Sequence, residues 1–340
     1  VSTAASPPRP LRLLLSADAI ASLAPRIGQV LAGRPYHLLP PDHPEAAQAD
    51  VAFVSRDITG LSTKHRVLPD TRRFYDLLLA APALRWLHVH SAGADRPVFV
   101  ELVRRGVPVT TSSGANAPVV AQTALLGLLA LARHWPRLQA AQREHRWAPL
   151  FGSGLPRDLR GQTAVVVGWG PVGREIGRLL QALGLRVVVV RQSDRAAGPG
   201  LVTVPDTQLR TVLPTADWLV LACPLTARTR GLVGAAELAL LPPHCGLVNV
   251  ARGDVVDEAA LVTALRAQRL GGAYLDVFMQ EPLPADSPLW DLPNAIVTPH
   301  SAGFSDANEA AVADMFLNNL GRFVRGEALV NAVETGPGLA

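Results

Sequence analysis

Two α/β domains, each a parallel sheet covered by helices, follow from three features of the chain. Its 340 residues exceed what one hydrophobic core usually organises. Short, near-continuously apolar runs alternate with polar, helix-like stretches along most of its length, as parallel strands buried on both faces do. A glycine-rich turn, Gly168-Trp-Gly170-Pro-Val-Gly173, stands between one such run and a helix pattern.

In chain order, Leu11–Leu15, Val51–Val54, Leu84–His90 and Val107–Thr110 are the first strand candidates. Ala117–Ala132 is strongly apolar, yet it holds Gln122 and Thr123 and stops at Arg133, short of a bilayer span, so it reads as a buried helix. The sharpest rhythm begins at Thr163: strand Ala164–Val167, the glycine turn, a helix to about Leu183 and a second strand Arg186–Val190 form a βαβ unit. Further strand-like segments lie at Val202–Val204, Trp218–Ala222, Gly246–Val250, Gly272–Asp276 and Ala295–Thr298, with a helix over Asp257–Gln268 among them. Within Ser305–Gly326, Val312, Met315, Phe316, Leu320 and Phe323 recur at helical spacing. That helix needs an apolar partner. Its return to the N-terminal part makes the second domain an insertion, dividing the chain into 1–113 with 305–340, and 114–304. The Pro-rich opening Val1–Pro10 and the Gly/Pro tail after Glu334 bury little and read as terminal arms.

Composition narrows the function classes. About half the residues are apolar and 18% are charged, without charge blocks, which excludes a disordered chain. The pI of about 9.7 accompanies a net charge of only +4, and all of the 32 basic residues except Lys64 are arginines scattered along the chain. Arginine raises the pI without making a binding stripe, so no nucleic-acid partner is expected and a small anion suits the chain equally well. Cys223 and Cys245 are too few for a disulfide framework and have no metal-ligand neighbours in sequence, which fits a reducing cytosol. Leu11–Leu15 is too short for a secretory signal, so the expected setting is cytoplasmic, away from membranes.

In the glycine turn, Gly168 permits the tight bend, Gly170 lets the backbone approach a pyrophosphate and Gly173 lets the helix lie close to the sheet. Pro171 and Val172 open the helix, whose N-terminus faces the anion. About twenty residues on, where an NAD site carries an acidic residue for the ribose hydroxyls, the chain has Arg191, followed by Gln192, Ser193 and then Arg195. An arginine there suits a 2′-phosphate, so NADP(H) is the expected cofactor. NAD(H) stays open if Arg191 only stacks on adenine.

Three downstream stretches carry chemistry: Asn249-Val-Ala-Arg252-Gly-Asp-Val-Val-Asp-Glu, Asp276-Val-Phe-Met-Gln-Glu281-Pro-Leu-Pro and Thr298-Pro-His300-Ser-Ala-Gly303. Each ends or follows a strand, and ligands of an open α/β sheet sit outside the carboxyl ends of its strands. Hydride delivery to a ketone carbon leaves charge on oxygen, which His300 can protonate in reduction, or relieve of a proton in oxidation. Glu281 holds the imidazole and favours its protonated form. Arg252 grips a substrate carboxylate and polarises the carbonyl.

On these motifs the chain resembles the D-isomer-specific 2-hydroxyacid dehydrogenases over roughly Leu84 to Gly303, most tightly from Gly161 onward. The resemblance implies two Rossmann-like domains, a doubly wound dinucleotide domain inserted into a smaller flavodoxin-like substrate domain, and a homodimer acting on a small 2-keto or 2-hydroxy acid. It makes Arg252, Glu281 and His300 the catalytic arginine, acid and histidine. Ala92 and Gly93 in Ser91-Ala-Gly-Ala-Asp95 match the loop whose amides hold the substrate carboxylate, and Asp276 matches the residue that binds the nicotinamide carboxamide. Cys223, Pro224, Thr229, Val250, Ala251, Ala302 and Gly303 fall to the cofactor on the same basis. The chain departs from the family at Gln122, where an acidic residue is usual. Relatives that oxidise formate carry glutamine as the histidine's partner, so Glu281 argues against that reaction. Arg191 resembles the NADPH-using glyoxylate and hydroxypyruvate reductase branch.

Other residues invite notice. His88-Val-His90 puts two imidazoles on one face of a strand, but without a third ligand in sequence packing or pocket lining is preferred to a metal. Arg56 and Trp147 are further candidates for substrate contact. No Gly-x-Ser-x-Gly elbow is present. The rival classes are a dinucleotide-sensing binding protein on the same fold and a dehydrogenase of another small anion such as phosphite.

Overall fold

The computed structural model describes residues 9–63, 66–151, 154–193 and 195–333. The expected terminal arms therefore lie outside the described residues, except for Arg9 and Pro10. The strands are β1 (Leu11–Leu14), β2 (Tyr36–Leu39), β3 (Val51–Val54), β4 (Trp86–Val89), β5 (Val109–Thr111), β6 (Thr163–Val167), β7 (Arg186–Arg191), β8 (Val202–Pro205), β9 (Trp218–Leu221), β10 (Gly246–Asn249), β11 (Gly272–Leu275) and β12 (Ala295–Val297). The helices are α1 (Ala17–Val30), α2 (Arg56–Thr59), α3 (Pro69–Ala80), α4 (Pro97–Arg104), α5 (Ala117–Ala132), α6 (Trp135–Arg143), α7 (Pro171–Ala182), α8 (Leu209–Val212), α9 (Ala235–Leu240), α10 (Glu258–Arg266) and α11 (Asn308–Arg325). They fall into two compact units, Val1–Ala115 with Asp306–Ala340, and Asn116–Ser305.

The first unit is a five-stranded parallel sheet in the order β2-β1-β3-β4-β5, the flavodoxin-like arrangement. β3 and β4 are buried at every position, which is why their sequences read as unbroken apolar runs. β2 escapes the sequence reading because it is an edge strand with three of its four residues partly or fully exposed, so it shows no continuous apolar run. The Ser16 hydroxyl caps α1 by accepting from the Ala19 amide at 3.0 Å. α11 begins at Asn308 rather than Ser305 and packs on α1, burying Val312, Phe316 and Leu320. The Phe316 ring stacks on Phe53 at 4.6 Å and on Trp86 at 5.6 Å.

The second unit is a seven-stranded parallel sheet in the order β12-β11-β10-β9-β6-β7-β8. From β6 the chain winds outward through β7 to β8, then crosses back to β9 and continues the other way. The strand order therefore reverses between β6 and β9, the point where doubly wound sheets open a crevice at their carboxyl ends. Asp257 caps α10 by accepting from the Ala260 amide at 3.0 Å. α5 covers one face of this sheet with Val120, Ala121, Ala124, Gly127 and Leu128 buried. Contrary to the expectation of a buried helix, only that face is covered, and Leu126 is exposed. No single helix among the described residues is long and apolar enough to cross a membrane.

Candidate active site

The glycine turn lies at the switch point. Gly168 has a φ of +97°, and a Cβ there would meet the Cys223 backbone at 2.6 Å, so only glycine lets the β6 turn touch the loop after β9. A Cβ at Gly173 would lie 2.0 Å from the Gly168 carbonyl oxygen. At Gly170, by contrast, the space is open. The first helical bond of α7 runs from the Arg174 amide to the Gly170 carbonyl at 3.0 Å, which leaves the amides of Val172 and Gly173 at the free end of the helix. Open space, outward amides and a positive helix end fit a dinucleotide pyrophosphate. Arg191 is the last residue of β7 and half-buried, with Gln192 and Ser193 exposed after it.

The loops after β9 and β10 are held by side chains of their own. Thr229 Oγ1 donates to the Pro224 carbonyl at 2.7 Å and accepts from the Thr226 amide at 2.8 Å. Cys223 is buried, and that burial pushes its thiol up to about 12, so it stays neutral. After β10, Val250 donates to the Leu221 carbonyl at 3.2 Å, while buried Asn249 accepts from the Ala251 amide at 3.0 Å and donates to the Arg252 carbonyl at 3.1 Å. Arg252 Nη1 donates to the Ala251 carbonyl at 2.7 Å. Gly253 then lets two loops meet: a Cβ there would lie 1.9 Å from the Phe278 carbonyl carbon.

Beyond β11 and β12 a buried carboxylate gathers the chain. Asp276 is 2% exposed and accepts from Thr298 Oγ1 (2.6 Å), the Ser301 amide (2.9 Å) and the Ala302 amide (3.0 Å). Its carbonyl accepts from the His300 amide at 2.8 Å. These bonds hold His300 at a φ of 52°, a left-handed conformation unusual for a residue with a side chain. The Ala302 carbonyl also accepts from Thr123 Oγ1 at 3.3 Å, and a Cβ at Gly303 would meet Asn116 Nδ2 at 2.4 Å, so α5 backs this loop. The fixed imidazole places Nδ1 2.8 Å from Glu281 Oε2, and Glu281 Oε1 accepts from the Phe278 amide at 3.1 Å. Burial alone would raise the Glu281 carboxyl. The hydrogen bond and charge of His300, the Phe278 amide and the Arg252 charge outweigh it and hold the group below the usual carboxylate range. With Nδ1 engaged, Nε2 is the ring nitrogen left for proton exchange with a ligand.

Ala92 and Gly93 lie in the first unit, in the turn after β4, where Ser91 Oγ donates to the Gly93 carbonyl at 2.6 Å. Among the described residues, no group accepts from either amide. Arg56 opens α2, and burial together with the Arg96 charge lowers its pKa while Glu309 opposes them. Trp147 is 95% exposed. His88 is packed between hydroxyls, 2.7 Å from Thr110 Oγ1 and 3.0 Å from Ser112 Oγ, and His90 lies 2.8 Å from Thr59 Oγ1. Burial, with the charge of His90 for His88 and those of Arg56 and Arg96 for His90, lowers both imidazoles to about 3. Among the described residues no group of three or more potential ligands is placed to hold a metal ion.

Sequence reasoning assigned no role to Asn249, Gly253, Thr298, Tyr274, Thr123 or Asn116. Asn249 and Thr298 border the recognised motifs and could have been read from that position. Tyr274 sits in an apolar strand run and Thr123 in an apolar helix, where nothing local marks a polar task.

A doubly wound sheet with a glycine turn at its switch point defines a dinucleotide-binding oxidoreductase class. Residues 125–302 match the family model "D-isomer specific 2-hydroxyacid dehydrogenase, NAD binding domain". The glyoxylate reductase of Korarchaeum cryptofilum is 34% identical over 261 residues, covering 75% of this chain and 77% of that protein. A D-isomer specific 2-hydroxyacid dehydrogenase from Xanthobacter autotrophicus, solved with NADPH and MES, superimposes with a TM-score of 0.75 at 30% identity, covering 96% of this chain and 98% of that one. The NADPH-dependent glyoxylate/hydroxypyruvate reductase of Sinorhizobium meliloti, solved with NADP and sulfate, gives 0.72 at 27% identity, with coverages of 96% and 98%. The chain belongs to the D-isomer specific 2-hydroxyacid dehydrogenases.

Proposed function

We propose that the protein is an NADPH-preferring reductase of short 2-keto acids of the glyoxylate and hydroxypyruvate type, with Arg252, Glu281 and His300 as its catalytic residues. The observation that carries the reading is the His300 Nδ1 to Glu281 Oε2 contact of 2.8 Å beyond β11 and β12, with Arg252 near enough to act on the same carboxylate. Held with Nε2 outward, His300 delivers a proton to the substrate oxygen in reduction and recovers it in oxidation. Glu281 keeps the imidazole oriented and compensates its charge. Arg252 draws the substrate carboxylate and carbonyl oxygen together. In the first unit, the amides of Ala92 and Gly93 would serve to bind a carboxylate.

The turn Gly168, Gly170, Pro171, Val172 and Gly173 would hold the cofactor pyrophosphate. Arg191, Gln192 and Ser193 would hold the 2′-phosphate, and Asp276 the carboxamide. Cys223, Pro224, Thr229, Val250, Ala251, Ala302 and Gly303 would line its remaining surface. The bound dinucleotide supplies the hydride. Support for NADPH over NADH comes from Arg191 and from the two neighbours solved with NADP(H). The setting that goes with this reading is a cytosolic homodimer, in which 1–113 with 305–340 binds substrate and 114–304 binds the dinucleotide. The test is initial-rate oxidation of NADPH and NADH against glyoxylate, hydroxypyruvate, pyruvate and longer 2-keto acids, with His300→Ala as control. NADPH-dependent turnover abolished in that variant supports the reading. Tight dinucleotide binding with no turnover of any keto acid overturns it.

A further inference from the structure

We propose that Tyr274 is a positioning residue for the acid–base centre, acting through Thr298 and Asp276 on the loop that carries His300. The proposal rests on the role given to His300 above. Tyr274 is the third residue of β11 and 1% exposed, a place an aliphatic side chain would fill in a strand buried on both faces. Its ring instead lies against α5 at the one point where that helix has no side chain. A Cβ at Gly127 would stand 2.1 Å from Tyr274 Cγ and within 2.6 Å of both Cδ atoms. A phenol pinned this closely has one accessible orientation, and in it the hydroxyl lies 2.7 Å from Thr298 Oγ1.

Proton counting fixes the direction of the chain. Thr298 Oγ1 lies 2.6 Å from Asp276 Oδ1, and an ionised carboxylate only accepts, so the single threonine proton goes to Asp276. Thr298 can then only accept from Tyr274, whose hydroxyl donates. Burial, opposed by the Thr298 hydrogen bond and aided by the Asp276 charge, pushes the phenol up to about 12, so it remains a donor at working pH. The relay ends on the oxygen that also accepts the Ser301 amide, in a residue whose other groups accept the amides of Ala302 and His300. His300 holds its left-handed backbone only while those acceptors stay in place. Tyr274 therefore sets the rotamer of Thr298, Thr298 orients the Asp276 carboxylate, and the carboxylate sets the His300 loop. A side chain with no route to substrate thus governs the aim of the proton donor.

The test compares the whole protein with Tyr274→Phe, Thr298→Val and the double variant by two readouts. Amide exchange followed by mass spectrometry over 298–303 reads the loop without needing turnover, with Thr163–Val167 as an internal reference for folding. Steady-state rates with NADPH and glyoxylate read the chemistry. In Tyr274→Phe we expect loop exchange to rise about tenfold and kcat to fall about tenfold, the scale of one lost buried hydrogen bond, with the keto-acid KM within about twofold. The double variant should be no worse than Thr298→Val alone, because both changes cut one chain. Unchanged loop exchange, a looser loop with unchanged kcat, or a double variant whose cost is the product of the singles would each overturn the proposal. If the wild-type protein turns over no 2-keto acid, the functional reading falls, while the exchange comparison still decides whether Tyr274 holds the loop.

Discussion

Glu281→Gln keeps the shape of the side chain and removes its charge. The amide oxygen can still accept from His300 Nδ1, so what is lost is the negative charge beside the ring. The contact is 2.8 Å long; the Glu281 side chain is 13% exposed and that of His300 47%. Surface ion pairs contribute up to about 1 kcal/mol, which sets the floor. Two unit charges about 4 Å apart in a medium of effective dielectric about 20 attract by about 4 kcal/mol, which sets a ceiling before desolvation is counted. A half-exposed partner puts the effect near 2 kcal/mol, roughly thirtyfold in rate. Hydroxy-acid oxidation, in which imidazolium forms as the proton is taken, should lose about thirtyfold in kcat. The assay is kcat in both directions from about pH 5 to 9. Because the Glu281 carboxyl is held below its ordinary value of 4.5, it is charged throughout that window, and its contribution is lost only as pH falls through the lowered value. A variant within about threefold of wild type across the range, in both directions, would refute the assignment of Glu281 as the partner of His300 in proton transfer.

Three further outcomes are expected. Gly253→Ala should push the Phe278–Glu281 loop away from Arg252, costing about 1–3 kcal/mol of stability in a denaturant melt and more than about tenfold in kcat. A Cβ accommodated without loss would show that the 1.9 Å approach is readily relaxed. Arg191→Ala should raise the NADPH KM by roughly 10–100-fold, the scale of a charged hydrogen bond, and leave that for NADH nearly unchanged; equal effects on both cofactors would remove the 2′-phosphate role. His88 and His90 sit near 3 in the fold against an ordinary 6.5, so the unfolded chain takes up protons the fold cannot, and stability should decline as pH drops from about 6.5 toward 3. Melting temperature against pH measures this, and His88→Asn with His90→Asn should flatten that part of the curve.

The central strands of the second unit's sheet are legible in the chain because they are buried on both faces and read as unbroken apolar runs such as Ala164–Val167 or Trp218–Leu221. Edge strand β2 pairs on one side only and is half solvated, so its residues carry no such signal. The motifs around Arg252, Glu281 and His300 stand out because carboxyl-end loops mix glycine and proline with charged residues. Their supports do not. Tyr274 and Thr123 find their partners, Thr298 Oγ1 and the Ala302 carbonyl, in segments distant in sequence, so nothing beside them in the chain marks those bonds. The same lack of context left the exposed face of α5 unread: the helix is largely apolar, and only packing distinguishes buried Leu128 from exposed Leu126.

The strand order has a practical consequence for redesign. Arg191 ends β7 and Asp276 follows β11, and four strand spacings of about 4.8 Å lie between those strands, roughly 19 Å across the sheet. Substitutions that far apart with no protein group in common combine nearly additively in their effect on stability. On the proposed reading, cofactor choice would be edited at Arg191 like an independent module, leaving the His300 loop untouched. Edits at Asp276 have no such freedom: its carboxylate holds the His300 loop, and if it also binds the carboxamide as proposed, a variant library that randomises it would select on two traits at once.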